Sequence, residues 1–301
     1  MGTFPDLAIV VVNYNLKGDT IDCIKSLLQA GAAKERVIVV DNASSDGSIE
    51  AFRETFGEEL NIIQAPVNRG YPGALNLGIP CAMDMGAKWV LMMNNDTKVA
   101  HEFIEELEKA VLRGPQYALI GPLILYYDEP EIIWYLGYRL IPGTLIGVRS
   151  YRGKRVSKDL PALIPMDLMH GCAMMVRRDV FETIGFFDDS QTIYGDDADF
   201  SLRAKRAGFK GAAATRAVMW HKVSFTMGPQ KPRTRYLKMR NTIFFYRKYS
   251  RGAAQTLMKL FTLVRCLFLI VTDFLHGSRD LTKPLWYGWS DGWAGRNFNR
   301  Y

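Results

Sequence analysis

The chain has 301 residues, 48% hydrophobic and 23% charged, enough for a large core and too apolar for wholesale disorder. Its net charge of +7 suits an anionic partner, whether phosphorylated substrate, acidic lipid surface or nucleic acid, without choosing among them. The four cysteines, Cys23, Cys81, Cys172 and Cys266, form no C-x-x-C pair, so neither a zinc site nor a disulfide framework is indicated, and scattered thiols fit a cytosolic chain.

The first third alternates. Strands are predicted over 7–12, 36–41, 61–66 and 88–94, and helices over 19–30, 48–56, 72–85 (despite Pro80) and 101–113. The opening "MGTFPDLAIVVVNYN" reads as a buried strand rather than a signal peptide, because it lacks a basic start and a long apolar run. Near-continuous apolar strands between helices predict an α/β domain with a mainly parallel central sheet flanked by helices. Sites in such sheets form beyond the carboxyl ends of the strands, which singles out "NYN", "DNASSDG", "NRGYPG" and "NND".

Residues 117–127 and 132–153 are rich in β-branched and aromatic residues broken by Gly and Pro, and predict antiparallel hairpins. Residues 167–187 read as strand then helix, "IYGDDADFSLRAKRAGF" (193–209) as a helix with acids at its start, and 211–221 as a strand. Residues 233–250 form a basic, aromatic helix candidate. The apolar 254–276 is interrupted by Lys259, Arg265 and Asp273, so it predicts a helix packed on the domain or lying in a membrane interface rather than a spanning one. The chain therefore divides into a catalytic domain over 1–232 and a helical appendage over 233–301. His101 and His276 read as helix-face residues.

Each polar cluster has a plain structural reading. Asp41 ends a buried strand, and Ser48 or Asp46 could N-cap the next helix. Asn94, Asn95 and Asp96 are good turn residues. Yet a carboxylate at a strand end also accepts from a pyrimidine ring N–H, and Asp96 with substrate phosphates suffices for a magnesium or manganese ion. In "NRGYPGALNLG" two glycines stand inside a helical stretch at about 1 kcal/mol each, which implies a packing or binding reason, and Arg69 suits a phosphate. His221 closes a strand after the acid cluster. No phosphate-cradling G-x-G-x-x-G or G-x-x-x-x-G-K-S follows the first strand.

The ordered set "VVNYN…VVDNASSDGS…NRGYPGALNLGI…VLMMNND…HGCAMMVRRDVFETIGFFDD…YGDDADFSLRAKRAGF…WHKVS" resembles the family 2 glycosyltransferases, and most of all their rhamnosyltransferase-like branch, over roughly residues 6 to 250. The resemblance implies a GT-A fold and an inverting transfer from a nucleotide-diphosphate sugar, dTDP-rhamnose or a UDP-sugar, to a lipid-linked or cell-surface glycan. It implies that Asn13, Tyr14, Asp41, Asp46, Arg69, Asn76, Asn94 and Asn95 bind the donor. The family's D-x-D motif falls on Asn94-Asn95-Asp96, so a divalent Mn2+ or Mg2+ would rest on Asp96 with His221. Asp197 takes the base position, with Asp196, His170 and Gly171 on the acceptor side; Asp199 reads as a helix-start residue or a base's partner. Processive members carry Q-x-x-R-W; the nearest approach is Gln230 to Arg233 without the tryptophan, which implies transfer of one or few sugars. The basic, apolar C-terminal segment implies peripheral attachment to the acidic inner face of the cell membrane, or a homodimer contact. Sugar-nucleotide pyrophosphorylases need a Gly-rich loop that "VVNYNLKGD" lacks. A nucleic-acid module needs an aromatic-interleaved basic sheet motif that is missing. A non-catalytic, membrane-docked glycan- or nucleotide-binding protein is the alternative that Asn94 favours.

Overall fold

The computed structural model describes residues 4–149, 151–190, 193–222 and 231–297. The chain divides into two compact units, one of residues 1–192 with 196–223, the other of 193–195 with 224–301.

In the first unit β1 (Leu7–Asn13), α1 (Lys17–Gln29), β2 (Val37–Asp41), α2 (Ser48–Phe56), β3 (Asn61–Gln64), α3 (Gly70–Asp84) and β4 (Trp89–Asn94) reproduce the expected alternation. There follow β5 (Thr97–Val99), α4 (Phe103–Arg113), β6 (Tyr117–Tyr126), β7 (Ile133–Tyr135), β8 (Arg139–Leu140), β9 (Gly147–Val148), β10 (Leu163–Met166), β11 (Ala173–Arg177), α5 (Arg178–Ile184), α6 (Asp196–Arg206) and β12 (Lys210–His221). One sheet runs β10-β12-β6-β11-β4-β1-β2-β3, with β5 also on β12 and β7 on β6. The half from β3 to β4 is parallel; beyond it β11 is antiparallel to both β4 and β6, while β6 and β12 are parallel.

Every residue of β1 is buried because successive side chains enter opposite layers. Leu7, Ile9 and Val11 pack with Ile24 and Leu27 of α1 and Phe52 of α2. Ala8, Val10 and Val12 pack with Leu75 and Ile79 of α3 and Phe200 of α6. Gly78 is the residue that lets α3 close on the sheet: a Cβ there would stand 2.5 Å from Val10 Cγ1 and 2.9 Å from Val40 Cγ2. The two expected hairpins are corrected in part. β6 is buried along nearly its whole length, so it pairs inside the sheet with β12 and β11, and only the three-residue β7 folds back on it. The β8–β9 pair is a separate two-stranded sheet. The expected cap of α2 is also corrected. Gly47, at φ +74°, holds the N-cap position, and Ser48 is the first helical residue. His101 precedes α4 rather than lying on its face.

The second unit contains α7 (Pro232–Tyr249), α8 (Gly252–Leu275) and α9 (Thr282–Ala294); His276 is the C-cap of α8. The C-terminal "LWYGWSDGWAG" is thus largely helical, which its glycines concealed. A Cβ on Gly288 would lie 2.6 Å from the Tyr236 carbonyl oxygen, and one on Gly292 2.8 Å from Ile243 Cβ, so these glycines bring α9 against α7. Buried Tyr236 donates its hydroxyl to Asp291 Oδ2 at 3.0 Å. The Trp289 and Trp293 indole N–H groups both donate to Thr262 Oγ1, at 3.3 and 3.0 Å. Thr262, Cys266 and Asp273 form the buried side of α8; the other side is exposed. Among the described residues no helix is long and apolar enough to cross a membrane.

The packing at Gly78 is testable against Gly18 of α1, where an added Cβ meets nothing within 4 Å. Gly18→Ala should leave stability unchanged or raise it by up to about 1 kcal/mol. Gly78→Ala should lower it by about 1–3 kcal/mol through overpacking, both read from denaturant midpoints.

Candidate active site

β1 has β2 on one side and β4 on the other, so chain connections leave it in opposite directions and a crevice opens at the carboxyl ends. The parallel register sets Asn13 beside Asp41 and Val12 beside Asn94. Asn13 is wholly buried. Its Nδ2 donates to Asp41 Oδ1 at 2.7 Å and Ser44 Oγ at 3.0 Å. Its Oδ1 accepts from Thr20 Oγ1 at 2.7 Å and Asn95 Nδ2 at 3.2 Å. Asp41, also wholly buried, accepts the Ser44 N–H on Oδ2 at 3.0 Å. Asp41 and Asn13 are both fully buried, each bonded within the layer. Asn95 spends its amide on Asn13 and on Thr20 Oγ1 at 2.8 Å. The three together hold the ends of β1, β2 and β4.

The loop after β2 remains accessible. Tyr14 is 40% exposed. Asp46 accepts the Lys17 N–H at 3.2 Å and the Ser48 hydroxyl. Burial works against its charge, but these donors outweigh it and hold the carboxyl below the usual carboxylate range. Asn42 fastens the loop before α3: its Oδ1 accepts the Arg69 N–H at 2.9 Å, and its Nδ2 donates to Asn68 Oδ1 at 3.1 Å and the Gly70 carbonyl at 3.2 Å. The Arg69 guanidinium is half exposed and 3.9 Å from the Asp189 carboxylate, a loose pair that leaves it available to an anion. Asn76 bonds inside the fold. Its amide exchanges two hydrogen bonds with the Phe187 backbone, at 2.9 and 3.0 Å, so it anchors the segment after α5.

Asp96 and His221 meet because β5 pairs antiparallel with the end of β12, setting Thr97 opposite His221; the Lys222 N–H also donates to the Asp96 carbonyl at 3.0 Å. His221 Nε2 is 3.2 Å from Asp96 Oδ1; buried Asp96 Oδ1 and, on the other side of the ring, His221 Nδ1 have no hydrogen-bond partner among the described residues. Burial opposes the Asp96 charge, yet the His221 ring beside it, with lesser help from the Asp96 backbone and Asn94 side chain, holds the carboxyl below the usual range. Trp134 packs on the His221 ring with centroids 4.4 Å apart. Asp96 Oδ1 and His221 Nε2, 3.2 Å apart, are donor types that suit adjacent positions on one divalent ion. Among the described residues no group of three or more His, Cys, Asp or Glu could hold a metal, so the remaining ligands would have to come from substrate phosphate and water.

The acid cluster starts α6. Asp197 Oδ2 accepts the Gly171 N–H at 3.0 Å, and Oδ1 accepts the Ala198 N–H at 2.8 Å. The same Gly171 peptide unit region is held from its other side, where the Tyr71 hydroxyl donates to the Gly171 carbonyl at 2.6 Å. Burial pushes the Asp197 carboxyl up, and the Gly171 and Ala198 N–H groups and the Arg149 charge only partly oppose it. Burial and the Asp197 charge push Asp196 up to about 8. His170 faces inward: its Nδ1 accepts the Cys172 N–H at 2.9 Å, and its ring packs on Trp134 and Tyr135. The Cys172 carbonyl in turn accepts the Asn94 N–H at 2.9 Å, so the Gly171 turn adjoins the 94–96 segment. Asp199 pairs with Arg203 at 2.8 Å, and Arg203 donates to the Ile184 and Phe186 carbonyls beyond α5; it is a structural acid. Tyr71, Asn42, Thr20 and Arg149 escaped the sequence reading. Tyr71 and Asn42 stand inside motifs already marked, whereas Thr20 and Arg149 carry no local signal.

The sequence model of glycosyl transferase family 2 matches residues 8–185. The low-salt glycan biosynthesis hexosyltransferase of Haloferax volcanii is 30% identical over 210 residues, 67% of this chain and 62% of that protein, so the match spans less than two thirds of that relative. The N-acetylglucosaminyl-diphospho-decaprenol L-rhamnosyltransferase of Mycobacterium tuberculosis is 25% identical over 245 residues, 74% of this chain and 78% of that one. Among solved structures, a mannosyltransferase from Pyrobaculum calidifontis in complex with GDP-Man and Mn2+ superimposes with a TM-score of 0.60 at 15% identity, covering 98% of this chain and 88% of that one. The sheet, the ordered motifs and this match agree: the fold is GT-A, and the chain belongs to glycosyl transferase family 2.

Proposed function

We propose that the chain is an inverting, non-processive glycosyltransferase that moves a sugar from dTDP-rhamnose or a UDP-sugar to a hydroxyl of a lipid-linked or cell-surface glycan. The observation that carries this reading is the pairing of two chemistries within one crevice. A half-buried carboxylate with a raised affinity for protons, Asp197, is held by the Gly171 turn. Through Cys172 and Asn94 that turn adjoins Asp96 and His221, whose buried Oδ1 and Nδ1 have no hydrogen-bond partner.

Asp197 takes the proton of the acceptor hydroxyl as that oxygen forms its bond to the anomeric carbon and the bond to the leaving diphosphate breaks. Asp196, protonated near neutral pH, adds no second charge beside it and can donate to the acceptor. Asp96 and His221 would hold Mn2+ or Mg2+, which when bound would neutralise charge developing on the diphosphate. Arg69 contributes a further cation beside the donor. Tyr14, Asp46 and the 42–46 loop receive the nucleoside, shaped from beneath by Asn13 and Asp41. Burial, then nearby thiol and carboxylate groups, pushes the Tyr71 hydroxyl well above its usual value. It therefore stays protonated and holds the Gly171 turn as a positioning residue. The names of the curated relatives, a hexosyltransferase and an L-rhamnosyltransferase acting on a decaprenol-linked sugar, support the donor and acceptor classes. Transfer of single sugars rests on the missing Q-x-x-R-W; Gln230 lies outside the described residues. The non-catalytic alternative draws on Asn94 alone, and the intact Asp96, His221 and Asp197 constellation counts against it.

Two measurements test the reading. Thermal shift with UDP-, dTDP- and GDP-sugars should show stabilisation by the pyrimidine donors, greater with Mn2+. A ligand at a hundred times its Kd contributes about 2.7 kcal/mol, a shift of several degrees for a chain of this size. Asp96→Asn should abolish the increment from Mn2+, and a shift with GDP-sugars alone would overturn the donor assignment. In transfer assays Asp197→Asn should keep the donor shift and lose about 10²–10⁴ in kcat. Wild-type kcat should fall with decreasing pH through a carboxyl titrating above the ordinary range, since the base works ionised. Tyr71→Phe should lose about 3- to 10-fold in kcat at unchanged donor KM, with that acid limb moved to higher pH because the Gly171 N–H holds the carboxylate less well. An unchanged limb would leave Tyr71 with no role in positioning the base.

A further inference from the structure

We propose that the exposed face of α8 is a docking surface for an anionic lipid bilayer, with the helix lying in the plane of the headgroups. This inference stands on the second unit alone and does not depend on the transfer chemistry.

Leu257, Leu260, Phe261, Val264, Leu267, Phe268, Val271, Phe274 and Leu275 are all exposed, from 37% for Phe261 to 75% for Leu275. Their spacing of three and four places them along one side of the helix, opposite Thr262, Cys266 and Asp273, which are buried. Eighteen residue steps make this stripe about 27 Å long. Contiguous apolar surface on this scale marks an interaction site. It is too short and too interrupted to span a bilayer, and its form is that of a helix bound at an interface.

Charge selects the occupant. Residues 231–297 contain thirteen Lys and Arg against three Asp, a net of +10, while the rest of the chain is at −3. Of the three acids, Asp273 is buried against Arg235 at 2.9 Å, and Asp291 is buried with the Tyr236 hydroxyl and Arg296. That leaves Asp280 as the exposed acid among the described residues of this unit. Lys259 and Arg265 are exposed on α8 itself, and Arg251, Arg279 and Lys283 are exposed at or beyond its ends. The Arg279 guanidinium lies over the Phe274 ring, 4.6 Å from its centroid. Long basic side chains beside apolar ones suit a boundary where stems meet hydrocarbon and heads meet phosphate. A second copy would set one strongly cationic unit against another, and a purely electrostatic partner such as a polyanion would have no use for nine exposed hydrophobic side chains.

The experiment is co-sedimentation of the full chain with phosphatidylcholine vesicles and with vesicles carrying about 30% phosphatidylglycerol, at low and high salt. The wild type should bind the anionic vesicles at least tenfold more tightly than the neutral ones. Val264→Glu with Phe268→Glu should lose at least tenfold in that binding while keeping the thermal midpoint, because both side chains are exposed. Lys259→Glu with Arg265→Glu should weaken binding to anionic vesicles and leave binding to neutral ones unchanged. No binding by the wild type overturns the proposal. So does binding that salt removes but the double Glu variant of the stripe retains, which would mark charge attraction alone. A wild-type dimer that this variant converts to monomer, with no vesicle binding, would assign the face to a second copy instead.

Discussion

The buried hydrogen bond between Asn13 and Asp41 is the constraint on which the site depends. Two parallel strands end side by side, and their last residues must satisfy polar side chains where water cannot reach. An unpaired buried carboxylate costs several kcal/mol, whereas a charge-assisted hydrogen bond in a low-dielectric interior is among the stronger contacts available. Asn13 meets Asp41 and Ser44 with one end of its amide and Thr20 and Asn95 with the other. The ends of three strands and the start of α1 are thereby held in one arrangement. The layer beneath the strand ends is thus held by buried hydrogen bonds on both ends of one amide.

From that layer a second chain of contacts leads toward the acids. Asn42 holds the 68–70 loop, Tyr71 at the start of α3 reaches the Gly171 carbonyl, and the neighbouring Gly171 N–H holds Asp197. Elements far apart in sequence thus connect the Asp197 carboxylate, through the Gly171–Cys172 turn, to the strand end that precedes Asp96. The 68–70 loop and the Gly171 turn that holds Asp197 are thus joined through Tyr71. Asp196 and Asp197 both hold their protons more tightly than ordinary carboxyls, since two neighbouring carboxyls in a desolvated site cannot both ionise readily.

The helical unit solves a different problem with different means. Gly288 and Gly292 let α9 approach α7 closely, and two indoles share one threonine hydroxyl on α8. Packing of this kind consumes one side of α8 and leaves the other apolar and uncovered. Two of the three acids among the unit's described residues are spent inside it, on Arg235 and on Tyr236 and Arg296.

The strand–helix order, the parallel half of the sheet and the crevice at its carboxyl ends were legible in the sequence. Apolar runs with period two or 3.6 can be buried in few ways, and Asn, Asp and Gly gather where strands end. The acid cluster and His221 were legible as an ordered set of motifs. What only the tertiary structure decided is which polar groups are free. Asn13, Asp41, Asn76 and Asn95 look like binding residues in the sequence, and the fold spends each of them on internal hydrogen bonds. Tyr71 looks like a helix-start aromatic and turns out to hold the Gly171 turn a hundred positions away. Residue type announces a capacity to bond, but whether that capacity remains for a ligand depends on long-range partners, and these exist only once the strands have paired.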